Sequence, residues 1–280
     1  MLTDALYSEA FKFLRNRSVL FWGFLFAPLV ALTIGLAGEL YFNPGARVPG
    51  LILPMDVSRE LLNGVAGAAQ PLTQLFCLIG AAALFSGEYR WETWRLLTPR
   101  NSRFNLLLAK AGVYAAASAV TVVAIGLAAV LSGLAGAAAH GWPLRWSAPA
   151  LGPYIASLLG LAALSWAQLL QVGAIAAAAA VVTRSTVPAV IAPIVIGVAQ
   201  AVVQGQLGAG AMHPRLQDLL ALPGLAGDQL RAAMLNPGWY GQMGGKSAVA
   251  IESLASLAIW ILGGFALATA VFRRQDLSRE

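Results

Sequence analysis

The chain of 280 residues is 59% hydrophobic and only 11% charged, whereas soluble domains carry about 25% charged residues. Its 18 basic and 12 acidic residues are too few to cover the exterior of a water-soluble fold of this length, so the composition indicates a membrane protein. The net charge of +6 does not indicate nucleic-acid binding, because the basic residues are scattered and mostly flank apolar segments.

The residues that usually bind metals are scarce. The single cysteine, Cys77, lies in an apolar segment, and the two histidines, His140 and His213, are far apart in sequence. One cysteine cannot form an intrachain disulfide, and this set is too small for a zinc site of His and Cys ligands. We therefore expect no metal site and no cofactor bound by this chain.

Residues 1–17 have the pattern of an amphipathic helix that lies in the membrane interface. The apolar residues at helical spacing are Leu2, Leu6, Ala10, Phe13 and Leu14. The charged residues expected to point away from them are Asp4, Glu9, Lys12 and Arg15.

Six apolar segments follow, each long enough at 1.5 Å per residue to cross a hydrocarbon core of about 30 Å. These candidate spans are residues 19–38, 61–85, 106–134, 151–183, 185–206 and 253–272. Arg184, with Pro188 just beyond it, predicts a tight hairpin between the fourth and fifth spans. For the outer loop, 207–247, we expect one or two short amphipathic helices on the membrane surface.

The Lys and Arg residues predict the orientation of the chain. Twelve fall on the side of the termini: Lys12, Arg15, Arg17, Arg90, Arg95, Arg100, Arg103, Lys110, Arg184, Arg273, Arg274 and Arg279. Six fall on the other side: Arg47, Arg59, Arg145, Arg215, Arg231 and Lys246. Because basic residues concentrate in cytoplasmic loops, both termini are predicted to be cytoplasmic.

The cytoplasmic loop 86–103, with the sequence SGEYRWETWRLLTPRNSR, is predicted to contain a short helix. Ser86 is placed to cap it, Glu88 lies in its first turn, and Pro99 biases Thr98 away from helical geometry.

Three large apolar side chains of this loop, Trp91, Trp94 and Leu97, recur at three-residue spacing on one side of the predicted helix. The charged residues around them are Arg90, Glu92 and Arg95. Aromatic residues with a charged rim indicate a docking surface for another protein. An interfacial helix whose tryptophans enter the lipid headgroups explains the pattern equally well.

Six glutamines lie within the predicted spans: Gln70, Gln74, Gln168, Gln171, Gln200 and Gln204. Within each span they share a face. An unsatisfied amide at membrane depth costs several kcal/mol, so these side chains are expected to face protein or water. Two interpretations stay open, namely hydrogen bonds between helices and a polar substrate path.

Two stretches resemble the ABC-2-type permeases, which are membrane subunits of ATP-driven exporters. They are ALYSEAFKFLRNR at 5–17, and FSGEYRWETWRLLTPRNSR with the LLLAK that follows. Span count and topology extend the resemblance to the whole chain. Glu88, Arg90, Thr93 and Arg103 match the family's usual pattern, whereas Glu92 stands where the family often has glycine.

The resemblance implies an all-α polytopic permease of the inner (plasma) membrane. Its six transmembrane helices would form a single domain, 1–17 would be the elbow helix, and 88–97 would be the coupling helix that sits in a cleft of a cytoplasmic ATPase. The implied ATPase-coupling residues are Glu88, Arg90, Trp91, Glu92, Thr93, Trp94, Arg95, Leu97 and Arg103. The implied partners are two copies of the ATPase, which bind ATP and Mg, and a second permease copy or a related permease.

The chain itself is expected to have no ATPase site and no catalytic residues. Six spans leave too little contiguous cytoplasmic sequence for an ATPase, and 244–247 lacks the first glycine of a phosphate-binding loop because Tyr240 occupies that place. An ion-coupled secondary transporter is the alternative function, although such proteins normally carry an ionisable group deep in a span. An intramembrane enzyme would need a nucleophile with a base, or metal ligands, at that depth, and the spans show neither.

Overall fold

The computed structural model describes residues 2–42, 54–90, 94, 101–148, 150–207, 215–235 and 247–275. These residues are almost entirely helical. In chain order the helices are α1 Leu2–Arg15, α2 Arg17–Phe42, α3 Val57–Ala66, α4 Pro71–Arg90, α5 Arg103–His140, α6 Leu151–Thr183, α7 Thr186–Leu207, α8 Leu216–Ala221, α9 Pro223–Leu235 and α10 Ser247–Arg274. Two short strands, β1 Met55–Asp56 and β2 Leu144–Arg145, pair in parallel.

Six of the described helices are long and apolar enough to cross a membrane: α2, α4, α5, α6, α7 and α10. This result confirms the predicted number of spanning helices. The expected hairpin lies between Thr183 and Thr186, where Arg184 takes the left-handed conformation with φ 55°. A left-handed residue at the end of a helix reverses the chain in few residues.

The centre of the bundle is formed by α5 and α6. α5 packs against α1, α2 and α3, whereas α6 packs against α4, α7 and α10. The fully buried Tyr114 joins the two central helices, because its hydroxyl donates a hydrogen bond to the Leu169 carbonyl at 2.8 Å. Gly173 makes this contact possible, since a Cβ atom there would overlap the Tyr114 ring.

Both ends of the described chain lie at one end of the bundle. Lys110, close to the start of α5, contacts Glu9 of α1, and Arg103 donates hydrogen bonds to the last carbonyls of α10. Gln275 in turn donates to Val181, close to the Arg184 turn. We call this end the terminal side and the end that carries β1 and β2 the far side.

The second span differs from the predicted segment 61–85, because the chain is broken between α3 and α4. Pro71 has no N–H group to continue a helix and is favoured at a helix start, and residues 67–69 form a turn before it. Ser165 donates a hydrogen bond to the Val65 carbonyl at 2.8 Å, which satisfies the end of α3 inside the bundle. α3 is therefore a separate helix of ten residues that precedes the span formed by α4.

The predicted outer loop contains two helices, α8 and α9. They pack against α10 and α6. Ser256 and Trp260 of α10 donate hydrogen bonds to the Leu219 and Leu220 carbonyls. Because these two α10 residues lie in the apolar helix rather than at its end, α8 enters the bundle beside the spans.

Candidate functional site

A cavity of about 380 Å³ lies between α4, α6, α7 and α9, beside the break that separates α3 from α4. All six glutamines singled out in the sequence line it: Gln70, Gln74, Gln168, Gln171, Gln200 and Gln204. Asp228 and Arg231 of α9 line it as well. These two residues were not among the predicted site residues. Their three-residue spacing suits an ion pair on a helix, and the sequence of the long outer loop offered no other signal for them.

The depth of the cavity follows from the lengths of the helices. Gln168 lies 15 residues before the end of α6 at Thr183, which is about 22 Å along the helix axis. Gln200 lies 14 residues after the start of α7 at Thr186, or about 21 Å. The cavity therefore lies within the apolar length of both helices, near the middle of α6 and in the far-side half of α7.

Hydrogen bonds connect α9 to the cavity wall. Arg231 donates through Nη1 to Asp228 Oδ1 at 2.8 Å and through Nη2 to Gln168 Oε1 at 2.5 Å. Gln204 Nε2 donates to Asp228 Oδ2 at 3.3 Å. Gly227 is required beside this network, because the Gln168 amide occupies the space that a Cβ atom at 227 would need.

The glutamines divide into two groups by their partners. In the first group, Gln168 and Gln204 bond to α9, Gln200 donates to the Ala221 carbonyl of α8 at 3.4 Å, and Gln74 donates to the Ala69 carbonyl before α4 at 2.8 Å. In contrast, the side-chain amides of Gln70 and Gln171 have no hydrogen-bond partner among the described residues. Gln70 is exposed, whereas Gln171 is only 8% exposed, so the Gln171 amide depends on the cavity contents for its hydrogen bonds.

The cavity is also bounded by the first residues of two helices. Pro71 begins α4, and Gly224 is the second residue of α9. The first N–H groups of a helix have no partner within the helix and give that end a partial positive charge. Interrupted helices inside a membrane place such ends at the binding sites of several transporter folds.

A second site, on the terminal side, consists of four charged residues that we call the ion cluster. Lys110 Nζ lies 2.6 Å from Glu88 Oε2 and 2.9 Å from Glu9 Oε2. Lys12 Nζ lies 2.6 Å from Glu9 Oε1 and 3.4 Å from Glu88 Oε1. The cluster is electrically balanced and joins α1, α4 and α5.

The position of Glu9 corrects the predicted orientation of α1. Glu9 was expected on a polar face, but it is 2% exposed and lies in a buried stripe with Ala5 and Phe13. Leu2, Leu6 and Leu14 remain exposed. Burial alone would raise the pKa of Glu9, but Lys110 and Lys12 outweigh burial and lower it. Glu9 therefore stays ionised and holds α1 to the bundle.

The structure also corrects the expected role of Trp94. Its indole was expected to be part of an exposed docking surface, but Trp94 is 2% exposed. It packs against Phe272, with ring centroids 4.5 Å apart, and Lys110 Nζ lies 5.6 Å from its ring centroid. Trp94 thus anchors the loop to the bundle instead of facing a partner.

Two further residues of the loop make contacts with the bundle. Ser86 does not cap a helix, because α4 continues to Arg90; its hydroxyl donates to the Ala82 carbonyl at 2.6 Å and lies 2.7 Å from Thr186 Oγ1. Arg103 binds the carbonyls of Phe272 and Gln275 at 2.9 and 2.5 Å. A cation at this place stabilises the end of α10.

The remaining predicted residues of the loop lie outside the described part of the chain. These are the Arg90 side chain, Trp91, Glu92, Thr93, Arg95 and Leu97, together with the predicted stop at 98–99. Residues 240–246 also lie outside the described part of the chain. They include all but the last residue of the incomplete phosphate-loop fragment.

A far-side cavity of about 480 Å³ is lined by acidic and basic residues that include Glu39, Asp56, Glu60 and Arg145. Asp56 caps α3 by accepting hydrogen bonds from the Ser58 and Arg59 N–H groups. Burial opposes ionisation of Asp56, but hydrogen bonds from Ser147 and Ser58 dominate and lower its pKa to about 2. Among the described residues, no group of three or more His, Cys, Asp or Glu is arranged to hold a metal ion.

Comparison of this chain with protein-family models, with curated proteins and with solved structures finds no match in any of the three.

Proposed function

We propose that the chain is the membrane permease subunit of an ATP-driven exporter of the ABC-2 type, in which two permease copies form the substrate path. The observation that carries the proposal is the cavity lined by six glutamines inside a bundle of apolar helices. Polar groups at this depth lower stability unless they have partners. The buried and unpartnered amide of Gln171 therefore favours a transport role over a purely structural one.

The contacts around the loop support coupling to a separate ATPase. Three described residues in or beside the loop contact other helices. Glu88 forms ion pairs with α1 and α5, Trp94 packs against α10, and Arg103 donates a hydrogen bond to α10. Packed cores move as units between discrete arrangements rather than deforming continuously. Force applied to the loop by a partner would reach α1, α5 and α10 together.

Copurification tests the partner. The chain is solubilised from native membranes in mild detergent, and the associated proteins are identified and quantified by mass spectrometry. We expect one P-loop ATPase chain per permease chain, and we expect Trp91→Ala to reduce its recovery. Trp146→Ala is the matched control, because Trp146 is 52% exposed on the far side. Recovery of no P-loop ATPase with the unaltered chain, or equal loss in both variants, would reject the coupling proposal.

An ion-coupled transporter is a second candidate, and the ion cluster favours it. Two of the cluster's charged residues are buried near the terminal ends of spans: Lys110, the eighth residue of α5, is 2% exposed, and Glu88, two residues before the end of α4, is 7% exposed. Buried charges in spans often serve ion coupling. The chain alone, reconstituted in vesicles with an entrapped pH dye, distinguishes the two. Substrate-dependent proton flux without any ATPase would favour the ion-coupled function.

A further inference from the structure

We infer that the cavity binds a small, uncharged, hydroxyl-rich solute such as a sugar or polyol. This inference rests on the proposed transport function, because it assigns a substrate class to the same cavity. The charge, the hydrogen-bonding groups and the shape of the cavity all favour such a solute.

The formal charges of the cavity cancel. Asp228 and Arg231 are the charged residues that line it among the described residues, and they form an ion pair at 2.8 Å. Each of the two charges already has its counter-charge, although Arg231 Nε is buried without a hydrogen-bond partner among the described residues. A charged ligand would bring a further charge into the cavity without a counter-charge of its own, which is costly. A neutral ligand leaves this ion pair intact.

The hydrogen-bonding groups of the cavity match hydroxyls. A glutamine amide both donates and accepts hydrogen bonds, as a hydroxyl group does. Gln171 is more than nine-tenths buried and lines the cavity, yet it has no partner among the described residues. Gln70, at the break between α3 and α4, also lines the cavity; it is exposed, and its side-chain amide has no partner among the described residues. A solute with several hydroxyls satisfies both amides at once.

The volume and the apolar lining of the cavity limit the size and the kind of ligand that it can bind. A volume of about 380 Å³ lies at the lower end of small-molecule pockets, which span about 300–1,000 Å³. The described lining contains no aromatic ring, and its apolar part is aliphatic, with Val172, Ile175 and Ile196. Flat aromatic compounds would find no ring to stack on, whereas the C–H faces of a sugar fit aliphatic side chains.

Equilibrium binding of three matched probes tests the inference. Glucose, gluconate and glucosamine share a six-carbon skeleton and are neutral, anionic and cationic at pH 7. Radiolabelled probes are titrated onto the full chain in lipid nanodiscs. We expect glucose to bind and the two charged probes to bind at least about tenfold more weakly, a difference equivalent to about 1.4 kcal/mol.

Variants locate the binding in the cavity. Gln171→Leu is expected to weaken glucose binding about tenfold, which is the effect of losing about one good hydrogen bond, and to leave the thermal unfolding midpoint equal or higher. Gln206→Leu is the matched control, since Gln206 is an exposed residue of α7 that does not line the cavity. It should bind glucose as the unaltered chain does.

Four outcomes would overturn the inference. Stronger binding of gluconate would make the cavity an anion site built on the starts of α4 and α9, and stronger binding of glucosamine would make it a cation site at Asp228. Binding of none of the probes, or glucose binding that Gln171→Leu leaves unchanged, would also reject it. These outcomes do not depend on the copurification result, so a failed ligand assignment and a failed ATPase assignment remain distinguishable.

Discussion

At the scale of single residues, Lys110 determines how the terminal side is held together. Its ammonium group contacts Glu9 and Glu88 and donates a hydrogen bond to the Leu84 carbonyl at 2.9 Å. Three acceptors satisfy the three donors of a lysine. A lysine can be this deeply buried because each of its hydrogens has a partner.

We predict that Lys110→Met lowers the free energy of unfolding by about 3–5 kcal/mol, because it leaves two buried carboxylates with only Lys12 as partner. Thermal and chemical unfolding in detergent measure the loss. Lys12→Met is the comparison variant. The Lys12 side chain is 46% exposed, so water can partly replace it beside Glu9 and Glu88, and we expect a smaller loss than for Lys110→Met. Equal losses in the two variants would contradict the buried role of Lys110.

The attachment of α1 should not depend on pH across the neutral range. The pKa of Glu9 is lowered from 4.5, so its contribution is present above 4.5 and is lost as the pH falls through the lowered value. The pKa of Lys12 is raised from 10.5, because its bonds to Glu9 and Glu88 outweigh burial. Its contribution is present below 10.5 and is lost as the pH rises through the raised value.

Hydrogen exchange of the α1 amides, corrected for the intrinsic rate at each pH, measures this attachment. We expect constant protection between about pH 5 and 10 and faster exchange only outside that window. Loss of protection between pH 5 and 8 would show that another group holds α1.

At the scale of helices, a close crossing joins α2 to α4. Gly23 of α2 lies in a π-helical segment, Phe21–Leu25, and a Cβ atom at Gly23 would lie 2.7 Å from the Gly80 Cα atom of α4. Small residues allow helices to approach this closely in membranes. The ring of Phe24 packs over Gly80 in the same place.

Gly23→Ala is therefore expected to separate α2 from α4 and to lower stability by about 1–3 kcal/mol, as overpacking does. Gly263→Ala is the matched control in α10, where an added Cβ atom meets nothing within 4 Å. The control should be neutral or more stable by up to about 1 kcal/mol, because alanine favours helix. Unfolding midpoints in detergent provide the comparison. An unchanged midpoint in Gly23→Ala would mean that α2 and α4 can move apart without loss of stability.

At the scale of the whole molecule, the bundle places Asn101 and Trp146 at opposite ends, since they lie near the two ends of α5. The distribution of Lys and Arg predicts that Asn101 faces the cytoplasm. In intact cells, a membrane-impermeant maleimide should label Trp146→Cys and spare Asn101→Cys. Native Cys77 is 0% exposed, so it should not react. Labelling of Asn101→Cys from outside would reverse the predicted orientation.

The number of helices long and apolar enough to span a membrane followed from the sequence alone. Transfer into lipid depends on the composition of about 20 consecutive residues. An apolar segment such as 151–183 can therefore be recognised as a span without reference to the rest of the chain. The glutamines could be singled out for the same reason, because an amide is costly at membrane depth whatever surrounds it. Their collection around one cavity was not evident, since no single span indicates which of its faces meets another.

Only the tertiary structure decided which side chains are partners. Glu9 turns inward because Lys110, 101 residues away in sequence, offers it a buried cation, and Trp94 is covered by Phe272 of the last helix. Arg231 reaches Gln168 across 63 residues. Hydropathy is a local property of a segment, whereas ion pairs and hydrogen bonds depend on which helix faces meet, and that choice is made by the packing of the whole bundle.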